Sequence, residues 1–220
     1  MKRIILLAAG FLVGGTAFAQ IGTPSAAPGK TRWGLKVGVN LPKYHVTNTE
    51  GEDSESKSTT NFHVTGYADV PVSNYFYVQP GISLQGKGGK LAENKQLNTK
   101  WEYNTMEIGV PINFVGKLPV GPMSNLYLGA GPYVSFAVGG ESKVTAGGTT
   151  TKEDLKFGSD RGNNLKRTDA GLNFLGGVEI NSFNIGAGYG LGLVDLRPEG
   201  EGGNGKLSNR VWSFSVGYSF

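Results

Sequence analysis

The chain has 220 residues, of which 36 are glycine, only 17% are charged and none is cysteine, with a formal charge of +4. The missing cysteine excludes a disulfide scaffold, cysteine-ligated zinc and a thiol nucleophile. The high glycine content, 10% aromatic residues and mean hydropathy of −0.20 point away from membrane helices and toward β structure.

Met1, Lys2 and Arg3 precede a short apolar run from Ile4 to Val13, and Ala17-Phe18-Ala19 forms a small-x-small cleavage signal. This pattern predicts a secretory signal peptide over 1–19, cut between Ala19 and Gln20. Ten apolar residues are too few to span a bilayer as a helix. Without Lys2 and Arg3 the formal charge falls to about +2, so nucleic acid is not an expected partner. The stretch 20–31, with Pro24 and Pro28, reads as a flexible leader.

From residue 32 onward one pattern repeats eight times: apolar residues alternate with small or polar ones, a period of two that specifies strands. Trp33, Leu35, Val37 and Val39 alternate with Gly34, Lys36, Gly38 and Asn40. Phe62, Val64, Ala68 and Val70 oppose His63, Thr65, Tyr67 and Asp69. Phe76, Val78, Ile82 and Leu84 mark the third segment, Tyr75 to Lys87. In the fourth, Met106, Ile108, Val110 and Ile112 oppose Thr105, Glu107, Gly109 and Asn113. The fifth sets Leu126, Leu128, Ala130, Val134, Phe136 and Val138 on one face. The sixth has Leu172, Phe174, Val178 and Ile180 against Gly171, Asn173, Gly177 and Glu179. In the seventh, Ile185 to Leu193 alternate with Asn184 and four glycines. The eighth sets Trp212, Phe214, Val216, Tyr218 and Phe220 against Ser213, Ser215, Gly217 and Ser219.

One face is thus almost purely aliphatic and aromatic, and the other is Gly, Ser and Asn with isolated charges. That arrangement is inside out relative to a water-soluble sandwich and matches a lipid-facing barrel. Backbone left unpaired in lipid is costly, so the sheet must close. Connections after odd segments are long (41–61, 88–102, 139–168 and 194–209). Those after segments two and six are short, and Gly116 to Asn125 is intermediate. The expectation is an all-β fold, an eight-stranded antiparallel up-and-down transmembrane β-barrel over 32–220, with short periplasmic turns in a bacterial outer membrane.

Trp33 to Asn40 (WGLKVGVN), Tyr77 to Gly88 (YVQPGISLQGKG), Leu126 to Val134 (LYLGAGPYV) and Asn209 to Phe220 resemble, in order and spacing, the PorT-like family of outer-membrane β-barrel domains. One departure is a proline at Pro111, two residues later than the family tends to place it after Glu107-Ile108. The resemblance implies an eight-stranded outer-membrane barrel, and its founding member suggests a secretion-accessory role.

Candidate chemistry is sparse. Gly81-x4-Gly86-Lys87 resembles part of a phosphate loop, but Gly88 stands where Ser or Thr belongs and a strand replaces the required helix. His63 and Thr65 share the inner face by alternation, where lipid does not reach, so no catalytic residues are expected and the protein is not read as an enzyme. The acidic run Glu50, Glu52, Asp53 and Glu55 is interspersed with Ser and reads as a solvated loop, with no metal or cofactor expected. Lys36, Glu107 and Glu179 are predicted to form an interior polar network that fills the lumen. Trp33, Tyr75, Tyr77, Trp101, Trp212 and Tyr218 are candidates for interfacial aromatic girdles. Phe214, Val216, Tyr218 and Phe220 are expected to act as a C-terminal assembly signal read by the barrel insertion machinery. The partners expected are outer-membrane lipid, that machinery, and envelope or secretion proteins. The function expected is a small structural or interaction barrel with four long outer loops. A narrow transport pore is the alternative, and a lipid-modifying enzyme is less favoured.

Overall fold

The computed structural model describes residues 29–48, 51–94, 99–199 and 205–220. The expected signal peptide and its cleavage residues Ala17, Ala19 and Gln20, most of the expected leader, and Glu50 lie outside the described residues. Ten strands follow in order: β1 (Arg32–Thr47), β2 (Asp53–Glu55), β3 (Asn61–Pro71), β4 (Phe76–Asn94), β5 (Thr99–Gly121), β6 (Ser124–Ala146), β7 (Thr149–Asp154), β8 (Thr168–Ile180), β9 (Phe183–Gly192) and β10 (Lys206–Ser219).

Eight of them form an antiparallel ring, β1-β3-β4-β5-β6-β8-β9-β10, and β10 pairs back onto β1. The closing ladder is continuous from Gly34↔Ser219 to Thr47↔Lys206. Closure satisfies the backbone of both would-be edge strands, as a sheet surrounded by hydrocarbon requires. At the end of this seam the Phe220 amide donates to the Trp33 carbonyl at 2.7 Å.

The two faces follow the sequence alternation. Trp33, Leu35, Val37 and Val39 point outward on β1, and Trp212, Phe214, Val216, Tyr218 and Phe220 do so on β10. Trp212 to Phe220 rises roughly 26 Å along its strand, or about 20 Å along the bilayer normal at the usual tilt, near the height of an outer-membrane apolar band. Pro111 sits within β5, opposite Tyr133, without interrupting the strand.

Five boundaries differ from the sequence reading. Within 41–61, β1 runs on to Thr47 and β2 lies at Asp53–Glu55, and within 194–209, β10 already starts at Lys206. The stretch 116–125 is not a connection: β5 runs on to Gly121, only Pro122 and Met123 form the turn, and β6 starts at Ser124. Much of 88–102 is strand, because β4 and β5 continue as a paired hairpin past Lys90. The stretch 139–168 contains the outer part of β6, which pairs with β7 through a tight turn at Gly147 and Gly148, both at positive φ. That backbone is the one a two-residue hairpin loop demands of its central residues. Beyond the bilayer both strand faces meet water, so the apolar period vanishes from the sequence while the hydrogen-bonded ladder goes on.

At the opposite end the turns are short. Asn181, with a φ of 55°, starts the β8–β9 turn, a left-handed conformation that asparagine tolerates better than most residues. This short-turn end is the periplasmic one in outer-membrane barrels.

Candidate functional site

The inward face assembles two ionic clusters. In the outer one, Lys87 of β4 extends into the lumen, where its Nζ lies 2.7 Å from Asp169 Oδ2 of β8 and 2.9 Å from Glu107 Oε2 of β5. Ser135 of β6 links the three: its hydroxyl accepts from Lys87 at 3.1 Å and donates to Glu107 at 2.6 Å. Asp169 Oδ2 also accepts from the Tyr133 hydroxyl at 3.1 Å and from Asn209 Nδ2 at 3.0 Å. The Thr105 hydroxyl donates to Glu107 Oε1 at 3.2 Å. Lys87 and Asp169 are each only 2% exposed, so these bonds replace hydration for charges that could not otherwise stay buried.

The periplasmic-end cluster joins Lys117 of β5 to Asp69 of β3 and, at 2.8 Å, to Glu179 of β8. Arg32 at the start of β1 reaches Glu179 at 3.0 Å, and Gln79 donates to Asp69 at 2.9 Å. Tyr77 turns inward, and its ring lies 4.5 Å from Lys117 Nζ. It therefore belongs to the lumen and not to an aromatic girdle, as the outward placement of Phe76 requires. Trp33, Tyr75, Trp101, Trp212 and Tyr218 are exposed.

Of the three residues predicted for the interior network, Glu107 and Glu179 lie in different clusters. Lys36 lies in neither: no carboxylate among the described residues is within ion-pair distance of it, and its Nζ sits 4.4 Å from the Tyr67 ring and 5.6 Å from the Tyr127 ring. The two clusters and Lys36 together carry four positive and four negative side chains, so the wall charges cancel. Asp69, Lys87, Lys117, Asp169 and Arg32 complete the arrangement. Asp69 was legible as inward-facing from its strand, and Lys117 would have followed from continuing the alternation of Asn113 and Val115 by one step.

Between the clusters lies a cavity of about 140 Å³, bordered by Lys36, Asn40, His63, Gln85, Asn113 and Asn173 among others. Side chains thus fill the lumen only in part, and the middle is roomy and polar enough for several waters. His63 Nδ1 lies 2.8 Å from Asn40 Oδ1, and Asn40 Nδ2 donates to the Gly86 carbonyl at 3.1 Å. An amide is thus the neighbour of His63, in place of the carboxylate that would orient a catalytic base.

The outer mouth is capped. Leu155, Leu165 and Leu196, from the stretches 155–167 and 193–199, pack with Tyr44 and Leu207 into a small apolar core, flanked by Val46, Tyr103 and Phe157. Asp195 fastens the cap: its carboxylate accepts from the Leu207 amide at 2.9 Å and from the Arg197 guanidinium at 3.1 and 3.2 Å. Partial burial pushes the Asp195 carboxyl up, but these donors outweigh it and hold it below its ordinary value.

The acidic run is occupied by neighbours of its own. Asp53 accepts from the Thr47 hydroxyl at 2.8 Å and lies 3.3 Å from His45 Nε2, and Glu55 pairs with Lys43, whose hydrogen bond, helped by its charge, holds the Glu55 carboxyl low. Lys87 of the Gly81-x4-Gly86-Lys87 stretch is spent on the outer cluster.

The family model for the outer membrane protein beta-barrel domain matches residues 18–197. Among solved structures, the chain is similar to the attachment invasion locus protein Ail of Yersinia pestis, with 14% identity, 87% of this chain and 100% of that one covered, and a TM-score of 0.40. It is also similar to Neisserial surface protein A, NspA, with 14% identity, 84% and 97% covered, and a TM-score of 0.41. A third is the N-terminal β-barrel domain of OprF from Pseudomonas aeruginosa, with 9% identity, 84% and 97% covered, and a TM-score of 0.35. No curated protein matches the chain significantly.

Proposed function

The chain belongs to the outer membrane protein beta-barrel domain family and is a small β-barrel of the bacterial outer membrane; from that premise we propose that it is a non-enzymatic interaction barrel whose outer hairpins engage another envelope component. One observation carries this reading. The lumen is crossed by two ionic clusters and covered at its outer mouth by an apolar cap, while β4, β5, β6 and β7 extend the wall outward as ordered hairpins. A structure that closes its pore and builds up its rim presents a surface rather than a passage. The PorT-like resemblance makes a component of the secretion apparatus the partner class we favour, with barrel insertion machinery acting only during assembly.

The polar cavity gives the narrow-pore reading its one support. The two readings separate in a single experiment. A variant with residues 141–154 replaced by a two-residue turn should insert into outer membranes at normal levels and lose envelope crosslinks formed by the intact protein. Both forms should show no steady conductance in planar bilayers. Open-channel currents from the intact protein would favour the pore, and crosslinks unaffected by the trimming would remove the hairpins from the proposed role.

A further inference from the structure

The outward wall is not uniformly clad. Near the short-turn end, one row of paired positions runs Phe76, Gly116, Leu128 and Gly176 across β4, β5, β6 and β8. Two of these four carry no side chain. Leu128, 73% exposed, leans over the bare backbone at Gly176, where an added Cβ would come within 2.7 Å of its Cδ2. Gly116 is left uncovered between Phe76 and Leu128. The next row toward the turn, Leu118, Leu126 and Val178, closes the lower side. The result is an apolar groove of about 530 Å³ in the outer face of the barrel. Phe76, Leu118, Leu126 and Leu128 are exposed, and they continue without a break into the lipid-facing band.

We propose that this groove holds one acyl chain of a phospholipid from the periplasmic leaflet as a fixed lipid, distinct from the exchanging lipid around the rest of the barrel. The groove is open to the bilayer along its length, so a chain enters by moving laterally. Its lining offers hydrocarbon and bare backbone, which suits methylenes and no polar ligand. Its place beside the short turns sets the leaflet. Tyr75, exposed at the strand start on the groove's edge, stands at headgroup height, the usual depth of interfacial tyrosines.

The test uses Gly116→Leu, which fills the groove from its floor. A Cβ at Gly116 would meet only ordinary contacts, 3.8 Å from Phe76 and 3.9 Å from the Leu128 carbonyl, so the barrel should tolerate it. Gly66→Leu on β3 is the matched control, because Gly66 faces outward into open space away from the groove. The proteins are purified in mild detergent, delipidated, and titrated with dioleoyl phosphatidylethanolamine under native mass spectrometry. The wild type and Gly66→Leu should each retain one phospholipid. Gly116→Leu should lower that occupancy about tenfold, an effect within reach of two lost buried methylenes. Equal lipid retention by Gly116→Leu, or no retention by the wild type, overturns the proposal. So does a dimer present in the wild type and lost in Gly116→Leu, which would make the groove a contact between copies.

Discussion

Lys87 and Asp169 meet 2.7 Å apart inside the barrel, although 82 residues of chain separate them. Two strands lie between β4 and β8 one way round the ring and four the other way. Their contact therefore spans the lumen and ties opposite parts of the wall together.

Removing one partner leaves the others stranded. Lys87→Met should destabilise the barrel by about 3–5 kcal/mol in denaturant unfolding from detergent or vesicles, because Glu107 and Asp169 would remain buried without their cation. Lys87→Met combined with Glu107→Gln and Asp169→Asn should recover a large part of that loss. A single variant as stable as the wild type would show that the cluster contributes nothing to the fold.

Depth in the bilayer should grade the cost of charge on the outer wall. Val110 lies well inside the apolar stretch of β5, whereas Leu128 is the second outward residue after the β5–β6 turn. Val110→Arg should cost about 2–4 kcal/mol and Leu128→Arg distinctly less, since the penalty falls toward the interface. Folding titrations into phospholipid vesicles measure both. Equal costs, or the reverse order, would displace the membrane boundary from where the structure sets it.

The cap should respond to acid through Asp195. Its folded-state value lies below the ordinary aspartate value of 3.8, so its contribution is present at neutral pH and fades as pH falls through the depressed value. Proteolysis within 193–199 should therefore be slow at neutral pH and faster in acid with an acid-active protease. Asp195→Asn should be cut at the faster rate in both. Wild-type protection of Asp195→Asn at neutral pH would assign the closure to the leucines alone.

Deleting Phe220 should separate folding from delivery. The deletion removes the amide that bonds to the Trp33 carbonyl and a ring packed 5.2 Å from Tyr218. It also forfeits about 1.5–3 kcal/mol of burial in lipid. Refolding into detergent should stay nearly intact, while the amount in outer membranes should fall sharply if the Phe214, Val216, Tyr218, Phe220 series is the assembly signal we propose. Normal membrane levels of the shortened protein would reject that role.

The outward face was legible in the sequence because lipid selects the same chemistry at every second position, from Trp33 on β1 to Phe220. The lumen was only partly legible. Alternation placed Glu107 and Glu179 inside but could not say that they sit at opposite ends, since that depends on strand tilt and ring closure. Lys117 was missed because Gly116 and Pro119 look like the start of a turn, yet β5 continues through both. The hairpin of β6 and β7 was hidden for another reason: Ser142 to Asp154 meets water on both faces, and nothing there marks in from out.

The seam between β1 and β10 has a topological consequence. A ring of paired strands has no intrinsic first member, and here the backbone at Trp33 and at Phe220 is already joined by a hydrogen bond at the periplasmic end. The order in which the wall is read from the gene is therefore one of four ways to cut the same circle with both ends at the periplasmic side. A short linker from 220 to 32, with new ends opened at Asn181 and Ser182, should give a circular permutant with the same wall. In the native order, by contrast, the strand made first waits for the strand made last, and until then its unpaired edge needs shelter from its surroundings.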